Sequence, residues 1–382
     1  MGIVAFFNYL SRHHKFRKAV IKRLPAEVSS FYVDCNGIFH TAKADVYGKT
    51  KSKDKAGLER KHINLVIERL KEILVDFAPT DLLVLAPDGG ANAGKMNQQK
   101  SRRFKTAHYE GDDAIDPNLF DGNAISPGTD FMIKLDKEIQ KWLSTEQKLP
   151  TKTIYSSHMN PGEGEHVLAD MIRQGHANPD GVGVFYGLDG DLIILTLLSP
   201  LEHIYLARED KSKIVDINML RKLIKEELFF SGCNRDILIK DFTFLVYMIG
   251  NDFLHRLPLL HDTPNSMNVL LTVYKNTRLH LTSKEGKVQW KNLLQFWKNL
   301  DNHTVSGYTL YELHVREPLP YPHKEFFEAT TIRNLKGQEV DENYDRSKHK
   351  IDFDKKHFTK LWYEKQFKPR KKELISSFKD EK

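Results

Sequence analysis

Residues 187–195 of this 382-residue chain read Gly-Leu-Asp-Gly-Asp-Leu-Ile-Ile-Leu and follow an apolar segment at 182–185. A strand ending in Asp-x-Asp would place Asp189 and Asp191 on one side, because strand side chains alternate with a period of two. Carboxylates so placed suit a hard divalent cation. The same residues also fit a turn at Asp189 and a helix cap at Asp191, so the pair alone leaves both interpretations open.

Two other apolar segments predicted to be strands, residues 31–33 and 82–86, are followed by the acids Asp34 and Asp88. An amphipathic helix is predicted between them, and strand–helix–strand order indicates a parallel sheet. Ligand-binding residues of such sheets lie beyond the carboxyl ends of the strands. We therefore expect these two acids and Asp189 to share one site.

Three further acids follow glycine-containing turns. Glu163 and Glu165 lie in Asn-Pro-Gly-Glu-Gly-Glu-His, residues 160–166, where a helix is predicted to begin, and Asp252 follows Gly-Asn. Residues two apart in a regular helix point in nearly opposite directions, so a shared site requires one glutamate to lie on the irregular turn. Each acid also fits a helix terminus, where negative charge is favourable.

If these seven acids converge, their mutual repulsion would force some to protonate unless cations neutralise them. Oxygen ligands alone favour Mg²⁺ or Mn²⁺ over zinc or copper. Two such ions together can activate a water molecule and stabilise the leaving oxygen of a phosphodiester. The acid set therefore predicts a phosphodiester-cleaving metal site.

The densest basic stretch begins at Lys95 and, if helical, presents three cations and an amide on one face. Such a face is either solvated or binds phosphate or carboxylate, to which arginine can bind in a bidentate manner. We favour a phosphate pocket because the acids that could neutralise the face follow only after it. Its residues are Lys95, Gln99, Arg102 and Arg103.

The composition sets limits on the partners and the compartment. An excess of 58 Lys and Arg over 51 Asp and Glu gives a net charge of +7, which is compatible with a polyanionic partner. Two cysteines without zinc-type spacing fit a reducing compartment, so we expect a cytoplasmic or nuclear location. No apolar run approaches the roughly 18–20 residues that span a bilayer, and no membrane partner is expected.

Two polar segments have open interpretations. Residues 14–24 are predicted to form a short helix, and the cations that begin at Arg12 either form a solvated face or lie beside a phosphate backbone. Residues 43–61 are rich in Lys and Gly and poor in apolar side chains, which predicts a loop or an insertion.

These motifs, taken in order, resemble the Xrn family of 5′→3′ exoribonucleases, within the wider 5′-nuclease (PIN-like) group that includes flap endonucleases. The resemblance covers about residues 1–300. The matching stretches are Gly2 with residues 6–7, residues 32–34 and 36–38 with His40, 86–89, 95–104, 127–132, 161–166, 186–193 and 250–254.

The resemblance implies an α/β fold, with a mainly parallel twisted central sheet flanked by helices, and a nuclease domain over 1–275. A mostly helical or irregular extension would occupy 276–382. It further implies that His40 stacks on the first base and that the basic face binds a 5′-terminal monophosphate, excluding a cap or triphosphate by size. Two Mg²⁺ ions, or Mn²⁺, would be held by Asp34, Asp88, Glu163, Glu165, Asp189, Asp191 and Asp252.

The expected function is metal-dependent 5′→3′ degradation of single-stranded RNA that carries a 5′-monophosphate, and decapping factors remain open as protein partners. Only residues 362–367 are similar to the start of the family's second conserved segment, so we expect a compact member lacking most of it. The rivals are a flap-type or DNA-directed 5′ nuclease and a catalytically inactive RNA-binding protein. The basic stretch argues against the first rival, and the complete acid set against the second.

Overall fold

The computed structural model describes residues 5–48, 50–96, 98–100, 120–208, 213–251 and 263–305. Within this part of the chain one sheet contains seven strands in the order β1-β7-β6-β5-β2-β3-β4. The strands are β1 Val20–Ile21, β2 Ser30–Asp34, β3 Leu82–Ala86, β4 Lys152–Tyr155, β5 Gly183–Tyr186, β6 Ile204–Ala207 and β7 Ile214–Asp216.

Five neighbouring strands, from β6 through β5, β2 and β3 to β4, are parallel, while β7 is antiparallel to both β6 and β1. The prediction of a mainly parallel sheet flanked by helices is confirmed. Strands β2 and β3 are buried at every position, because helices cover both faces of the sheet's centre.

The helices that flank the sheet or follow it are numbered here in chain order. They are α1 Phe6–Arg12, α2 Asn36–Tyr47, α3 Lys55–Phe77, α4 Asp130–Thr145, α5 Gly164–Arg173, α6 Gly190–Leu197, α7 Ile217–Glu227, α8 Leu238–Met248, α9 Thr263–Thr277 and α10 Trp290–Val305. Residues 93–96 and 98–100 are also helical.

Two local predictions were wrong. Residues 14–24 do not form a helix, because Phe16–Ala19 is a short 3-10 turn that leads into the edge strand β1. The predicted loop at 43–61 is largely helical, since α2 continues to Tyr47 and α3 begins at Lys55. The Asp54 side chain accepts a hydrogen bond from the Gly57 amide and so caps α3, a local signal that outweighed the polar composition.

Two compact units divide the chain. The first consists of residues 1–256 with 282–287, and the second of residues 257–281 with 288–382. All the predicted site residues belong to the first unit. The predicted division at residue 275 stays a prediction. Within the described residues, no helix is both long enough and apolar enough to cross a membrane.

Arg221 in α7 forms hydrogen bonds with the carboxyl-terminal end of α6, the helix that carries Asp191. The last carbonyl groups of a helix lack partners within it. The Arg221 guanidinium donates hydrogen bonds to four of the carbonyl oxygens in and after the last turn of α6. These belong to Thr196 (2.9 Å), Leu197 (3.1 Å), Ser199 (2.6 Å) and Leu201 (2.7 Å).

Replacing Arg221 by Ala should lower the free energy of unfolding by about 3 kcal/mol, because partly buried carbonyl groups lose a charged donor. Arg221→Lys should recover little of this loss, since one ammonium group cannot reach four acceptors in the same geometry. Urea unfolding measures both. The matched control is Arg173→Ala, which breaks an exposed pair with Asp170 and should cost well under 1 kcal/mol. Equal losses at Arg221 and Arg173 would contradict the account.

Candidate active site

Helices α5 and α6 begin with the same pattern of acid, glycine and acid. Glu163 occupies the N-cap of α5 in an extended conformation, and Glu165 lies in the first turn. Asp189 and Asp191 take the same two positions at the start of α6. Glu163 therefore lies on the irregular turn, as the sequence required for a shared site.

Neither N-cap acid acts as a cap. An N-cap carboxylate normally accepts a hydrogen bond from an amide of the first turn, as Asp216 does at the start of α7 with the Met219 amide at 2.8 Å. The side chains of Glu163 and Asp189 make no capping hydrogen bond. Asp191 does not cap a helix from Leu192 either, since α6 begins at Gly190. The interpretation of Asp191 as the cap of a helix from Leu192 is therefore wrong, whereas the expected position of the two glutamates at a helix start is confirmed.

Asp34 and Asp88 lie at the carboxyl ends of the adjacent strands β2 and β3, and Asn36 joins them. The Asn36 side-chain amide donates to Asp88 Oδ2 at 2.6 Å, and its carbonyl oxygen accepts from the Asp88 backbone amide at 3.1 Å. The Asn36 backbone amide donates to Asp34 Oδ1 at 3.3 Å, and the Gly164 amide donates to Asp88 Oδ1 at 2.8 Å. These bonds fix Asp88 against the start of α5.

The glycines between the acids allow this close approach. A Cβ atom on Gly164 would lie 2.4 Å from the Ala86 carbonyl oxygen and 3.2 Å from Asp34 Oδ1. A Cβ atom on Gly187 would lie 2.4 Å from Leu192 Cδ1 and 3.2 Å from Asp34 Cβ. A larger side chain at Gly164 would collide with backbone and push α5 away from β3. At Gly187 it would displace the Leu192 side chain and crowd Asp34.

Mutual repulsion shows which acids are close together. Burial, then Asp88, then Asp189 raise the pKa of Asp34 to about 8. Burial, followed by Asp191, Asp34, Asp189 and Glu163, raises the pKa of Glu165 to about 9. Burial also raises the pKa of Asp88, against the lowering effect of the Gly164 amide. The structure thus brings together six of the seven predicted acids; the seventh, Asp252, lies outside the described residues.

The donor set fits a hard divalent cation in its chemistry. Glu165 is buried, and its Oε2 atom has no hydrogen-bond partner in the described part of the chain. As the side chains stand, no three His, Cys, Asp or Glu residues of that part are arranged to hold one ion. Side-chain rotation is therefore required for several carboxylates to share an ion. The ligand roles of the acids stay a prediction.

A cavity of about 330 Å³ opens beside Asp34. The first turns of α2, the face of α3 that carries Arg69 and the turn after β5 line it. Its volume lies at the lower end of the range for ligand pockets. Asp34, although only 9% exposed, is therefore reached from this side.

Lys95 links the acids to the predicted phosphate pocket. Its Nζ atom lies 2.6 Å from Glu163 Oε2, and both side chains are buried. Gln99 is half-buried, whereas Arg102 and Arg103 lie outside the described residues. His40 is exposed on α2, and its predicted contact with a base is untested.

Two residues near the acids were missed. Asn36 was not predicted as a site residue, although the spacing Asp34-x-Asn36 places it beside Asp34. Tyr247, at the end of α8, is close enough to Asp191 and Glu165 for both acids, after burial, to raise its pKa. Nothing in the local sequence around Tyr247 signals this contact, because it depends on how α8 packs.

Comparison with known proteins assigns the chain to a family. Residues 1–210 match the family described as XRN 5′-3′ exonuclease N-terminus, and residues 233–306 match that described as Xrn1 helical domain. The first match alone covers more than half of the chain. The chain therefore belongs to the Xrn family, which is a nuclease family, and the predicted resemblance is confirmed.

Among its relatives, 5′-3′ exoribonuclease 1 of Schizosaccharomyces pombe is 32% identical over 345 residues, which cover 77% of this chain and 25% of the relative. The corresponding protein of Saccharomyces cerevisiae is 31% identical over 340 residues, covering 77% of this chain and 22% of the relative. The chain thus spans about a quarter of the length of these curated relatives.

A solved structure of the catalytic core of Rad2 in complex with DNA substrate aligns with 80% of this chain and 78% of its own. The sequence identity is 17% and the TM-score is 0.43. A likeness at this level says nothing about chemistry.

The ion-free protein should lose stability as the pH rises from 6.5 to 8.5. Folded Asp34 and Glu165 hold protons up to pH values of about 8 and about 9, whereas the unfolded chain releases them near pH 4. The folded state therefore binds more protons across this window, and stability falls as the pH increases. Thermal unfolding in chelator measures the effect.

The neutral variant Asp34→Asn should be more stable than the parent at pH 8.5 and should show a weaker dependence on pH. A divalent ion should restore the stability of the parent protein, since it replaces the lost protons. Stability in chelator that is constant or rises over the same window would contradict the clustering of these acids.

Proposed function

We propose that this chain is a divalent-metal-dependent 5′→3′ exoribonuclease that hydrolyses single-stranded RNA bearing a 5′-monophosphate and releases nucleoside 5′-monophosphates. Membership of a nuclease family supports the reaction class, and the curated relatives named 5′-3′ exoribonuclease support RNA as the substrate. The single observation that carries the proposal is the set of buried and half-buried acids that adjoins Lys95 through its 2.6 Å contact with Glu163.

The acids would hold two Mg²⁺ ions, which when bound would supply an activated water molecule and stabilise the departing oxygen. Oxygen ligands without sulfur or imidazole favour this metal class. Asp34 and Glu165 hold protons near neutral pH, because burial and their neighbours raise both pKa values. Loading the site therefore requires that these two carboxyl groups release their protons.

The chain's own groups orient the site. Asn36 and the Gly164 amide hold both oxygens of Asp88, so this carboxylate is fixed before substrate arrives. An ammonium group has three donors, so Lys95 can keep its contact with Glu163 and still donate to a terminal phosphate. One residue would thus set the distance between the cleaved bond and the 5′-phosphate.

The resulting pocket would favour one phosphate group at the 5′ end. Lys95 and Gln99 are the described members of the basic face, and Arg102 and Arg103 complete it in the proposal. Decapping factors, which create such 5′-monophosphate ends, are therefore proposed as partners. A cytoplasmic location is proposed because two cysteines without zinc-type spacing fit a reducing compartment.

Digestion of 5′-monophosphorylated, 5′-triphosphorylated and 5′-hydroxyl RNA, with Mg²⁺ and with chelator, tests the function. The first substrate should be degraded fastest, and only with Mg²⁺. Asp189→Asn should lower the rate about 100-fold or more while the protein stays folded, because a charge that would hold the ions is lost. Unchanged cleavage by this variant would refute the metal role, and RNA binding without cleavage would favour an inactive RNA-binding protein.

Arg102→Ala should abolish the preference for 5′-phosphate over 5′-hydroxyl ends, since a bidentate phosphate contact is lost. The matched control is Lys100→Ala, which removes an exposed cation two residues away and should leave the preference intact. A retained preference in the Arg102 variant would refute the pocket. Equal rates on matched RNA and DNA would favour the DNA-directed rival.

A further inference from the structure

Three cations stand side by side on neighbouring strands at the carboxyl edge of the sheet. In the register, Ile21 of β1 is paired with Ile214 of β7, which is paired with Ala207 of β6. One residue further on, Lys22 is therefore level with Lys213, and Lys213 with Arg208. The Arg208 amide donates to the Lys213 carbonyl oxygen at 3.4 Å, which confirms that the last two are neighbours.

The same register connects this basic row, Lys22, Lys213 and Arg208, to the acids. Ala207 is paired with Tyr186 of β5, and Tyr186 with Val33 of β2, so the row is level with Asp34. Strands are spaced about 4.8 Å apart, which places Arg208 about 10 Å, Lys213 about 14 Å and Lys22 about 19 Å from Asp34 along the sheet.

The basic row offers exposed positive charge to an anion. Lys22 and Lys213 are exposed and lie opposite each other on paired strands, where a bound anion would relieve the repulsion between the two like charges. The Arg208 guanidinium lies over the Phe7 ring, 4.6 Å from its centroid, which restricts its motion. Lys22 makes no ion pair with any residue that the structure describes.

The surrounding charges are mostly of the same sign. The sequence from residue 5 to residue 26 contains six Lys and Arg residues and no Asp or Glu. Lys15 is neutralised by Glu227 at 2.5 Å, but Arg12, Arg17 and Lys18 are exposed and make no ion pair within the described part of the chain. Residues 209–212, which include two acids and one lysine, lie outside the described residues.

The positions of Lys95 and the basic row on opposite sides of Asp34 indicate the direction in which a bound strand would run. Lys95 follows β3, on one side of Asp34 in the sheet order. On the other side, Arg208 follows β6, Lys213 precedes the antiparallel strand β7, and Lys22 follows β1. A strand whose 5′-phosphate lies at Lys95 and whose first linkage lies at the acids would continue towards the row.

We propose that Lys22, Lys213 and Arg208 bind the phosphodiester backbone of single-stranded RNA on the 3′ side of the bond that is cut. The direction of the strand rests on the proposed function, but the binding of RNA to the row does not. Phosphates of one strand recur at about 3.4 Å or more, so the row lies within roughly six nucleotides of the cleaved bond. Short RNAs would not reach its far end.

Binding of 3′-labelled, 5′-phosphorylated RNA in chelator tests the proposal without cleavage. The double variant Lys22→Ala/Lys213→Ala should bind a 12-nucleotide RNA about 10-fold more weakly at low salt. The slope of log affinity against log salt should fall by about 1.4, as expected for two lost contacts to a single strand. A trinucleotide should bind to the variant and the parent equally.

The matched control is Lys137→Ala/Lys148→Ala, which removes two exposed cations in and just after α4 and should leave both affinities unchanged. Equal weakening by the control pair would overturn the proposal, since it would reveal only a general effect of charge. An unchanged affinity of the Lys22/Lys213 variant for the 12-nucleotide RNA would also overturn it.

The two proposals fail separately. If RNA binding depends on the basic row but the RNA is not cleaved with Mg²⁺, the RNA-binding role of the row is supported and the proposed function is refuted. If RNA is cleaved from the 5′ end and the row variants bind and cleave it like the parent, the proposed function is supported and the RNA-binding role of the row is refuted.

Discussion

Like-charged carboxyl groups crowded at the carboxyl edge of the sheet are the constraint on which the rest of this unit depends. Burial first, and then repulsion from the neighbouring acids, raise the pKa values of Asp34 and Glu165. The fold offsets part of it with the amides of Asn36 and Gly164, with the N-termini of α5 and α6, and with the ammonium group of Lys95. Divalent cations would offset the remainder.

The parallel topology explains why acids more than 150 positions apart meet. Each parallel strand returns to the same edge of the sheet, and the residue just beyond it either ends the strand or begins a helix. Asp34 and Asp88 arrive by the first route, and the acid–glycine–acid pairs of α5 and α6 by the second. The glycines are required because a Cβ atom at Gly164 would collide with the Ala86 carbonyl oxygen.

Periodicity and strand ends were sufficient to predict the sheet and the acids that cluster at its edge. The loop predicted at 43–61 was wrong because a local signal competed with composition at the end of α2 and the start of α3. The helix predicted at 14–24 was wrong because the strand β1 is too short to show alternation. The contacts of Lys95 with Glu163 and of Tyr247 with two acids depend on tertiary packing, which no local pattern encodes. The basic row could not be predicted from the sequence for the same reason, since only the strand register brings Lys22 beside Lys213.

The most direct test of the central claim is to locate divalent ions in crystals soaked with Mn²⁺, by anomalous scattering. The account predicts density within coordinating distance, about 2.1 Å, of oxygens from at least three of Asp34, Asp88, Glu165, Asp189 and Asp191. Density confined to surface positions, with these carboxylates unchanged and apart, would contradict it.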